Sequence, residues 1–493
     1  MKPLKRLVDV LAILPTYQVN QAISDISMNG LTIDSRQVKS GDLFICIEGY
    51  TVDGHDFVKQ AEANGACAIV AQKALNETNI PVIYVRDTVR ILALLANSYY
   101  DMPTNDLQLI GVTGTNGKTS VTNLLDDIFK LDKRVTGSIG TIQMKIADTI
   151  HEVSNTTPEA SFLQKSFRNM VDQGVKTAIM EVSSHALEIG RVNGCDFNIA
   201  IFTNLSQDHL DYHGDMPSYF QAKSRLFRQL GNRYDPDNPK YAVINLDDAY
   251  SENFIHATTQ PVVTYGIEQK ADVSASQIKL EANGTTFILE TFYGNITIKS
   301  KLIGKFSIYN MLAAATASLL AGVPLETVKE ALENTTGVRG RFEPVLAGQP
   351  FGVIVDYAHT PDSLENVLQT MQGFVKGKIY VVVGCGGDRD RTKRPLMAQI
   401  ASKYADYAFY TSDNPRSEDP DSIIADMVTG LEATNYEVII DREKAIKKSI
   451  TSASENDMIL IAGKGHETYQ IIGTEIVDFD DRAVATEAIK QYL

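Results

Sequence analysis

With 493 residues, 44% hydrophobic and 22% charged, the chain has the make-up of an ordinary globular protein and the length for three domains of roughly 150 residues each. Its 46 Lys and Arg against 61 Asp and Glu leave a net charge of −15, which excludes broad electrostatic binding to nucleic acid or anionic membrane. A small anionic substrate held by a few placed cations stays compatible with that charge. Cys46, Cys67, Cys195 and Cys385 stand singly in apolar or glycine-rich surroundings without a C-x-x-C pair, the pattern of small core residues in a reducing compartment. The apolar run Leu7–Pro15 is too short to span a membrane, carries Asp9 and lacks a small-residue cleavage site, so a cytoplasmic protein is expected.

The first 100 or so residues hold four short β-type runs, Gly30–Ile33, Asp42–Ile47, Cys67–Val70 and Val82–Val85, among turn-rich segments such as Asp34-Ser-Arg36 and Gly49–Gly54. They predict a small α/β domain presenting polar loops. Tyr99–Asp106, polar and with one proline, reads as the linker that follows.

Leu107–Gly111 is an apolar run of the kind that forms a buried parallel strand. Beyond Gly114-Thr-Asn-Gly-Lys-Thr119, the apolar residues Val121, Leu124, Leu125, Ile128 and Phe129 fall on one helical face. Strand, glycine loop and helix in that order aim backbone N–H groups at one point, where a polyphosphate can sit. Lys118 would reach the terminal phosphates, and the Thr119 hydroxyl would bind Mg²⁺. The match is not literal: the first glycine of G-x-x-x-x-G-K-[ST] would fall at Val112, and the chain has glycines at 111 and 114 instead.

From there to about residue 335, apolar runs end in polar clusters. Thr177–Glu181 leads into Val182-Ser-Ser-His-Ala186, Ile199–Phe202 into Thr203–Asp211, and Tyr241–Ile244 into Asn245–Asp248. In an open parallel sheet the ligand crevice lies at the carboxyl ends of the strands, so all three clusters are expected to face the phosphate loop. Residues 260–303 read as meandering strands, and Asn310 is expected to open the helix Met311–Leu320. The last part repeats the scheme: Val353–Asp356, Ile379–Val383, Ala408–Thr411 and Met458–Ala462 each precede a glycine-rich or polar loop, which predicts a second doubly wound domain. Gly384–Gly387 lacks the G-x-G-x-x-G spacing of a dinucleotide site.

Glu181, closing a strand beside the phosphate loop, is a natural second anchor for the Mg²⁺ that Thr119 begins to coordinate, since hard oxygen ligands suit that ion. His209, between Asp208 and Asp211, is a candidate for a second metal or for a capping role. Arg191, Arg341, Arg389 and Arg416 each lie beside a glycine or proline turn, where a guanidinium fork can grip a carboxylate or phosphate.

Seven segments, Thr113–Thr119, Glu181-Val-Ser-Ser-His185, Asn204–His209, Asn245–Asp248, Gly340-Arg-Phe-Glu343, Asp356-Tyr-Ala-His359 and Asp413-Asn-Pro-Arg416, resemble in order the motifs of the Mur ligases. The resemblance implies an α/β protein of three domains: a small one over 1–100 binding UDP-MurNAc, a central ATPase with a mostly parallel sheet over 101–335, and a Rossmann-like amino-acid domain over 336–493. It implies an ATP-dependent ligase that phosphorylates the D-Glu carboxylate of UDP-MurNAc-L-Ala-D-Glu and joins it to an amine, giving ADP and phosphate. Two Mg²⁺ ions are implied, one on Thr119 and Glu181, the other on His209 and a CO₂-derived carbamate on Lys223. Gly114, Thr115, Asn116, Gly117, Lys118, Thr119 and Ser120 fall at ATP-binding positions, with Asn310, Arg341 and Asp356 near the same nucleotide. Ser35 and the loop at Tyr50 look like uridine contacts, and Thr156, Thr157, Ser183 and Arg191 like contacts to the muramoyl peptide. Arg389, Asp413, Asn414, Pro415, Arg416, Gly463 and Glu467 match a meso-diaminopimelate pocket, where Arg416 would pair with the distal carboxylate that L-lysine lacks. A monomer is the default expectation.

Two other functions compete. A folylpolyglutamate synthetase would share the phosphate loop but lack the N-terminal nucleotide domain and the Asp413–Arg416 loop. A phosphate-loop switch hydrolysing ATP would leave the loops of the third domain unexplained.

Overall fold

Strands buried on both faces need continuous apolar runs. Thr177–Glu181, Ile199–Phe202, Ile379–Val383 and Met458–Ala462 begin and end at the residues expected from the sequence, and every residue in them is buried. The computed structural model describes residues 4–49, 52–75, 78–153, 155–281 and 284–492. They resolve into two units, Met1–Thr264 with Thr316–Ala321, and Tyr265–Ala315 with Gly322–Leu493.

The first unit opens with a small sheet in which Gly30–Thr32, Asp42–Ile45, Ala68–Ala71 and Val82–Tyr84 run parallel in that order, with Gln18–Val19 antiparallel at the edge. The helix Thr88–Tyr99 covers one face, with Leu92, Leu95 and Ala96 packed on Leu43, Val70 and Ile83. Tyr99 and Tyr100, expected in a polar linker, are buried and meet edge to face, with ring centroids 4.9 Å apart. The turn Pro103–Asp106 that follows is also packed, and Thr104 Oγ1 accepts the Asp196 N–H at 3.0 Å. Apolar burial outweighs the polar composition of that stretch.

The larger sheet of this unit has five parallel strands in the order Thr136–Ile139, Thr177–Glu181, Gln108–Thr113, Ile199–Phe202 and Tyr241–Asn245. After Gln108–Thr113 the chain builds one side of the sheet, then crosses to the other at Ile199, so a crevice opens at the carboxyl end of the central strand. Glu181 lies in register with Val112, and Phe202 with Thr113.

In the second unit the expected meander is three antiparallel strands, Val273–Glu281, Gly284–Thr291 and Gly294–Ser300. The helix after it runs Lys305–Leu320, so Asn310 lies more than a turn inside it and does not open it. The apolar Phe306 and Ile308 carry the helical face further back than Met311. Beyond it, Gly352–Asp356, Met458–Ala462, Ile379–Val383, Tyr407–Tyr410 and Tyr436–Val438 form a parallel sheet in that order, edged by the antiparallel Glu343–Pro344. Leu364, Leu368, Met397 and Ala401 from two helices fill one face, while Ile446, Ile450, Ala485 and Ile489 from two others fill the opposite one. This is the doubly wound arrangement expected.

All four cysteines are free. Burial pushes the thiols up, Cys67 to about 11 and Cys46, Cys195 and Cys385 to about 12, so they behave as small unreactive core residues.

Arg442 and Asp481 begin the two helices of the second face, and their side chains are fully buried against each other. The guanidinium donates from Nε and Nη2 to the two carboxylate oxygens at 2.7 Å each, and Nη2 also reaches the Ala462 carbonyl at 3.0 Å. Removing one partner strands a buried charge. Asp481→Ala is therefore expected to cost about 3–5 kcal/mol in urea unfolding of the full chain.

Candidate active site

Two glycines give the phosphate loop its path. Gly114 has φ +149°, and a Cβ there would lie 1.9 Å from Thr203 Oγ1; Gly117 has φ +88° and begins the helix Lys118–Leu131. The loop is clamped by the segment after Ile199–Phe202: Thr115 N donates to the Asn204 carbonyl at 2.8 Å, and Asn116 N to Asn204 Oδ1 at 2.9 Å. Thr203 Oγ1 donates in turn to the Asn116 carbonyl at 2.6 Å, and Ser206 N donates to Thr115 Oγ1 at 3.1 Å. The first-turn N–H groups of Lys118, Thr119 and Ser120, which an α-helix cannot satisfy internally, make this end an anion site. Lys118 Nζ folds back onto the carbonyls of Gly114 at 2.9 Å and Thr115 at 2.8 Å.

Glu181 is 1% exposed, and no cation pairs with it among the described residues. Its carboxylate accepts the Thr119 hydroxyl at 3.0 Å, the Thr141 N–H at 2.8 Å and the Thr141 hydroxyl at 3.0 Å. A Cβ on Gly140 would sit 2.3 Å from Glu181 Oε1, so that glycine makes room for the carboxylate. A buried, unpaired carboxylate beside a threonine hydroxyl is a donor set suited to a hard divalent cation. The same net orders the expected peptide-contact residues: Thr156 meets Thr141 at 3.0 Å, Thr157 Oγ1 donates to the Glu181 carbonyl at 2.8 Å, and the Ser183 N–H donates to Thr157 Oγ1 at 3.0 Å. Arg191 donates to the Thr157 carbonyl at 3.0 Å and pairs with Glu159, while its Nε is buried without an acceptor among the described residues.

Lys223, 1% exposed on the helix Met216–Arg228, donates to the Gly114 carbonyl at 2.8 Å, and its Nζ lies 4.5 Å from the centroid of the Tyr219 ring. Burial first, then the charge of Lys118, holds its amine well below the usual lysine value. His209, in the left-handed region at φ +54°, is half exposed, 3.4 Å from Asp208 Oδ2 and edge-on to His185 and Tyr219. Of the four expected metal ligands only Thr119 and Glu181 touch each other. Among the described residues no three His, Cys, Asp or Glu side chains gather as a metal site. The polar cluster Asn245–Asp248 faces Thr203 and Leu205, not the phosphate loop directly: Asn245 Nδ2 donates to the Thr203 carbonyl at 2.8 Å and Leu205 N to Asp248 at 2.9 Å. One further strand separates it from Gln108–Thr113.

In the turn Ser35–Gln37 after the strand Gly30–Thr32, Ser35 is buried and donates to Gln60 Oε1 at 2.7 Å; Tyr50 lies outside the described residues.

In the second unit the loops after the parallel strands converge as predicted. Asp356 accepts the N–H groups of Phe342 at 2.6 Å and Ala358 at 2.8 Å, yet burial still raises its carboxyl above the usual range. Arg341 lies over the Tyr357 ring at 5.2 Å, its Nε buried without an acceptor among the described residues. Arg416, at φ +50°, donates from Nη1 to the Gly387 carbonyl at 2.8 Å, and its backbone bridges to Ile472. Pro415 packs its carbonyl on Gly387, where a Cβ would approach to 1.9 Å. Asn414 Nδ2 donates to Glu467 Oε2 at 2.9 Å, and Gly463, at φ +113°, leaves space for the Asp413 carboxylate. Arg389 is exposed and, among the described residues, donates only to the Asp388 carbonyl, at 3.2 Å. Asn310 is buried inside its helix.

Three family models match the chain in order: the Mur ligase family catalytic domain over residues 27–100, the Mur ligase middle domain over 112–318, and the Mur ligase glutamate ligase domain over 340–465. A protein of Oceanobacillus iheyensis named UDP-N-acetylmuramoyl-L-alanyl-D-glutamate–2,6-diaminopimelate ligase is 56% identical over 491 residues, covering 99% of both chains. The chain belongs to the Mur ligase family. A Bacillus cereus protein of the same name is 56% identical over 462 residues, 94% of each chain. A solved structure bearing that name is 35% identical and superposes with a TM-score of 0.73, covering 98% of this chain and 99% of its own. The three-domain, mostly parallel α/β fold expected is the fold of this Mur ligase.

Sequence reading passed over two residues of this ligase that join the loops. Tyr219 meets Thr115 Oγ1 through its hydroxyl at 3.2 Å while its ring backs Lys223; it lies four residues before that lysine on one helix, the spacing that stacks side chains. Thr141 carries no sequence signal beyond following a glycine at a strand end.

His466, beside Arg341 and half-buried, is held below the usual imidazole value, by burial first and then by that guanidinium. A depressed folded value favours the neutral ring, so the stability it contributes is present above the unfolded value of about 6.5 and is lost as the pH falls through the folded one. His466→Gln is expected to flatten the rise of unfolding free energy between roughly pH 5 and 7, measured by urea titration at several pH values.

Proposed function

We propose that this Mur ligase adds meso-diaminopimelate to the D-Glu carboxylate of UDP-MurNAc-L-Ala-D-Glu, using ATP and releasing ADP and phosphate, in cytoplasmic peptidoglycan precursor synthesis. The observation that carries the reading is the Asp413-Asn-Pro-Arg416 loop at the carboxyl edge of the second sheet. There the Arg416 guanidinium is held to Gly387 and has no carboxylate partner among the described residues. Full-length identity to relatives so named supports it. No helix among the described residues is long and apolar enough to cross a membrane. The boundaries proposed are 1–100 for the nucleotide-sugar domain, 101–335 for the ATPase and 336–493 for the amino-acid domain.

A carboxylate is a poor electrophile, and phosphorylating it to an acyl phosphate supplies a leaving group that an amine can displace. Such a transfer needs positioning and charge neutralisation above all. Lys118 leaves its own loop's carbonyls to meet the phosphates, and the helix N-terminus of Lys118–Leu131 adds its partial charge. Thr119 and Glu181 would hold one Mg²⁺, and His209 with a carbamylated Lys223 a second. When bound, these ions neutralise phosphate oxygens. Two observations fit: Glu181 is a buried carboxylate without a cation, and Lys223 is a buried amine pushed toward its neutral form, the form that adds CO₂. Thr156, Thr157, Ser183 and Arg191 would orient the muramoyl peptide. Asn310, Arg341 and Asp356 would serve the nucleotide, and Ser35 the uridine. Arg389, Asp413, Asn414, Pro415, Arg416, Gly463 and Glu467 would hold the amino acid.

Phosphate release from ATP with UDP-MurNAc-L-Ala-D-Glu should be strong with meso-diaminopimelate, weak with L-lysine and weaker still with no amino acid. Arg416→Ala should lower kcat/KM for diaminopimelate by about 100-fold or more while the KM for ATP stays within about twofold. Equal use of the two amino acids by the native enzyme would sink the pocket assignment. Release indifferent to the muramoyl substrate would point to the ATPase switch. For Lys223, the intact mass in bicarbonate buffer should rise by one CO₂ and the increment should vanish in Lys223→Met; an unchanged native mass would refute the carbamate.

A further inference from the structure

Lys464 lies between Gly463 and Glu467, its side chain 0% exposed. Its ammonium donates to Asn414 Oδ1 at 3.0 Å and Glu467 Oε2 at 3.2 Å, and it sits 5.7 Å from the centroid of the Tyr469 ring. Two of its three N–H donors are thus used inside the protein. Asn414 Oδ1 also accepts the Ile471 N–H at 3.0 Å, which occupies both of its lone pairs and sets the amide with oxygen on Lys464 and nitrogen on Glu467. Glu467 Oε2 therefore takes two donors, while its Oε1 takes none from the described residues. Arg416 and Arg389 bond only to backbone carbonyls and pair with no carboxylate among the described residues.

We propose that Lys464 is the positioning residue that sets amino-acid choice. It fixes Asn414 and offsets the charge of Glu467, so one negative charge fewer faces the loops that carry Arg416 and Arg389. With that charge offset the pocket accepts diaminopimelate, which is neutral overall and brings a second carboxylate to the guanidinium. It holds L-lysine, a net cation, less firmly than an uncompensated glutamate would. The inference rests on reading this loop as the diaminopimelate pocket.

The test uses the full chain with ATP, Mg²⁺ and UDP-MurNAc-L-Ala-D-Glu. If the native enzyme forms no diaminopimelate amide, the functional reading itself falls. If it does, Lys464→Met should raise the KM for diaminopimelate about 10- to 100-fold and cut the preference over L-lysine in kcat/KM at least about tenfold, leaving the KM values for ATP and the muramoyl substrate within about twofold. An unchanged KM and preference would overturn the role of Lys464 alone. So would a uniform rise in all three KM values, the mark of a merely structural residue. Because Met leaves the partly buried Glu467 beside an apolar group, the comparison of Glu467→Gln with Lys464→Met/Glu467→Gln decides the matter if the single variant does not fold. With the glutamate neutral, Met should add less than about twofold to the KM for diaminopimelate, and a further loss of about tenfold or more would overturn the proposal.

Discussion

Thr203 Oγ1 occupies the space that a Cβ on residue 114 would take, and this close approach is the constraint on which the phosphate loop depends. Only glycine lets the chain pass there, at a φ that side chains rarely adopt. With the gap closed, Thr203, Asn204 and Ser206 lace the loop from one side, and Lys118 and Lys223 meet at the Gly114 carbonyl. The helix end presented to a polyphosphate is therefore pre-shaped, and little ordering remains to be done on binding.

Among the described residues four cations are almost wholly buried, and their surroundings assign them different work. Arg394 is gripped by Glu418 and Asp426, and Arg442 by Asp481, so both stay charged and tie helices together. Lys464 shares Glu467 with Asn414. Lys223 has a carbonyl and an aromatic face but no carboxylate within ion-pair distance among the described residues, and Lys118 adds repulsion. An amine so placed is shifted toward its neutral, nucleophilic form. The lysine of the proposed metal site and the lysine of the proposed amino-acid pocket thus differ in whether a carboxylate lies within ion-pair distance.

Much of the site could be read from the chain because its residues lie at strand ends, and strand ends are marked by the switch from apolar to polar. Glu181, Asp356, Asp413 and Gly463 all stand at or within three residues of the final residue of a parallel strand. The helical face Val121 to Phe129 followed from periodicity alone. Asn310 lies inside its helix and not at its start because polar and apolar residues alternate over 305–308, a period that does not mark a helix. Asn245–Asp248 shares the strand-end signature of the other clusters, yet sheet order places it one strand further out.

By itself the sequence determined the elements, the phosphate loop and the identity of the chemical groups, since helical and strand periods and glycine turns are properties of a few consecutive residues. Tertiary structure alone decided which of those groups meet. Thr115 and Ser206 are 91 residues apart, and Lys223 reaches Gly114 across 109. The reach of Tyr219 to both Thr115 and Lys223, the lack of a carboxylate within ion-pair distance of Lys223 among the described residues and the closure of Lys464 upon Asn414 follow from strand order and burial. Pairings over such separations are set by how sheets are wound and what they exclude from water, and no local pattern encodes that.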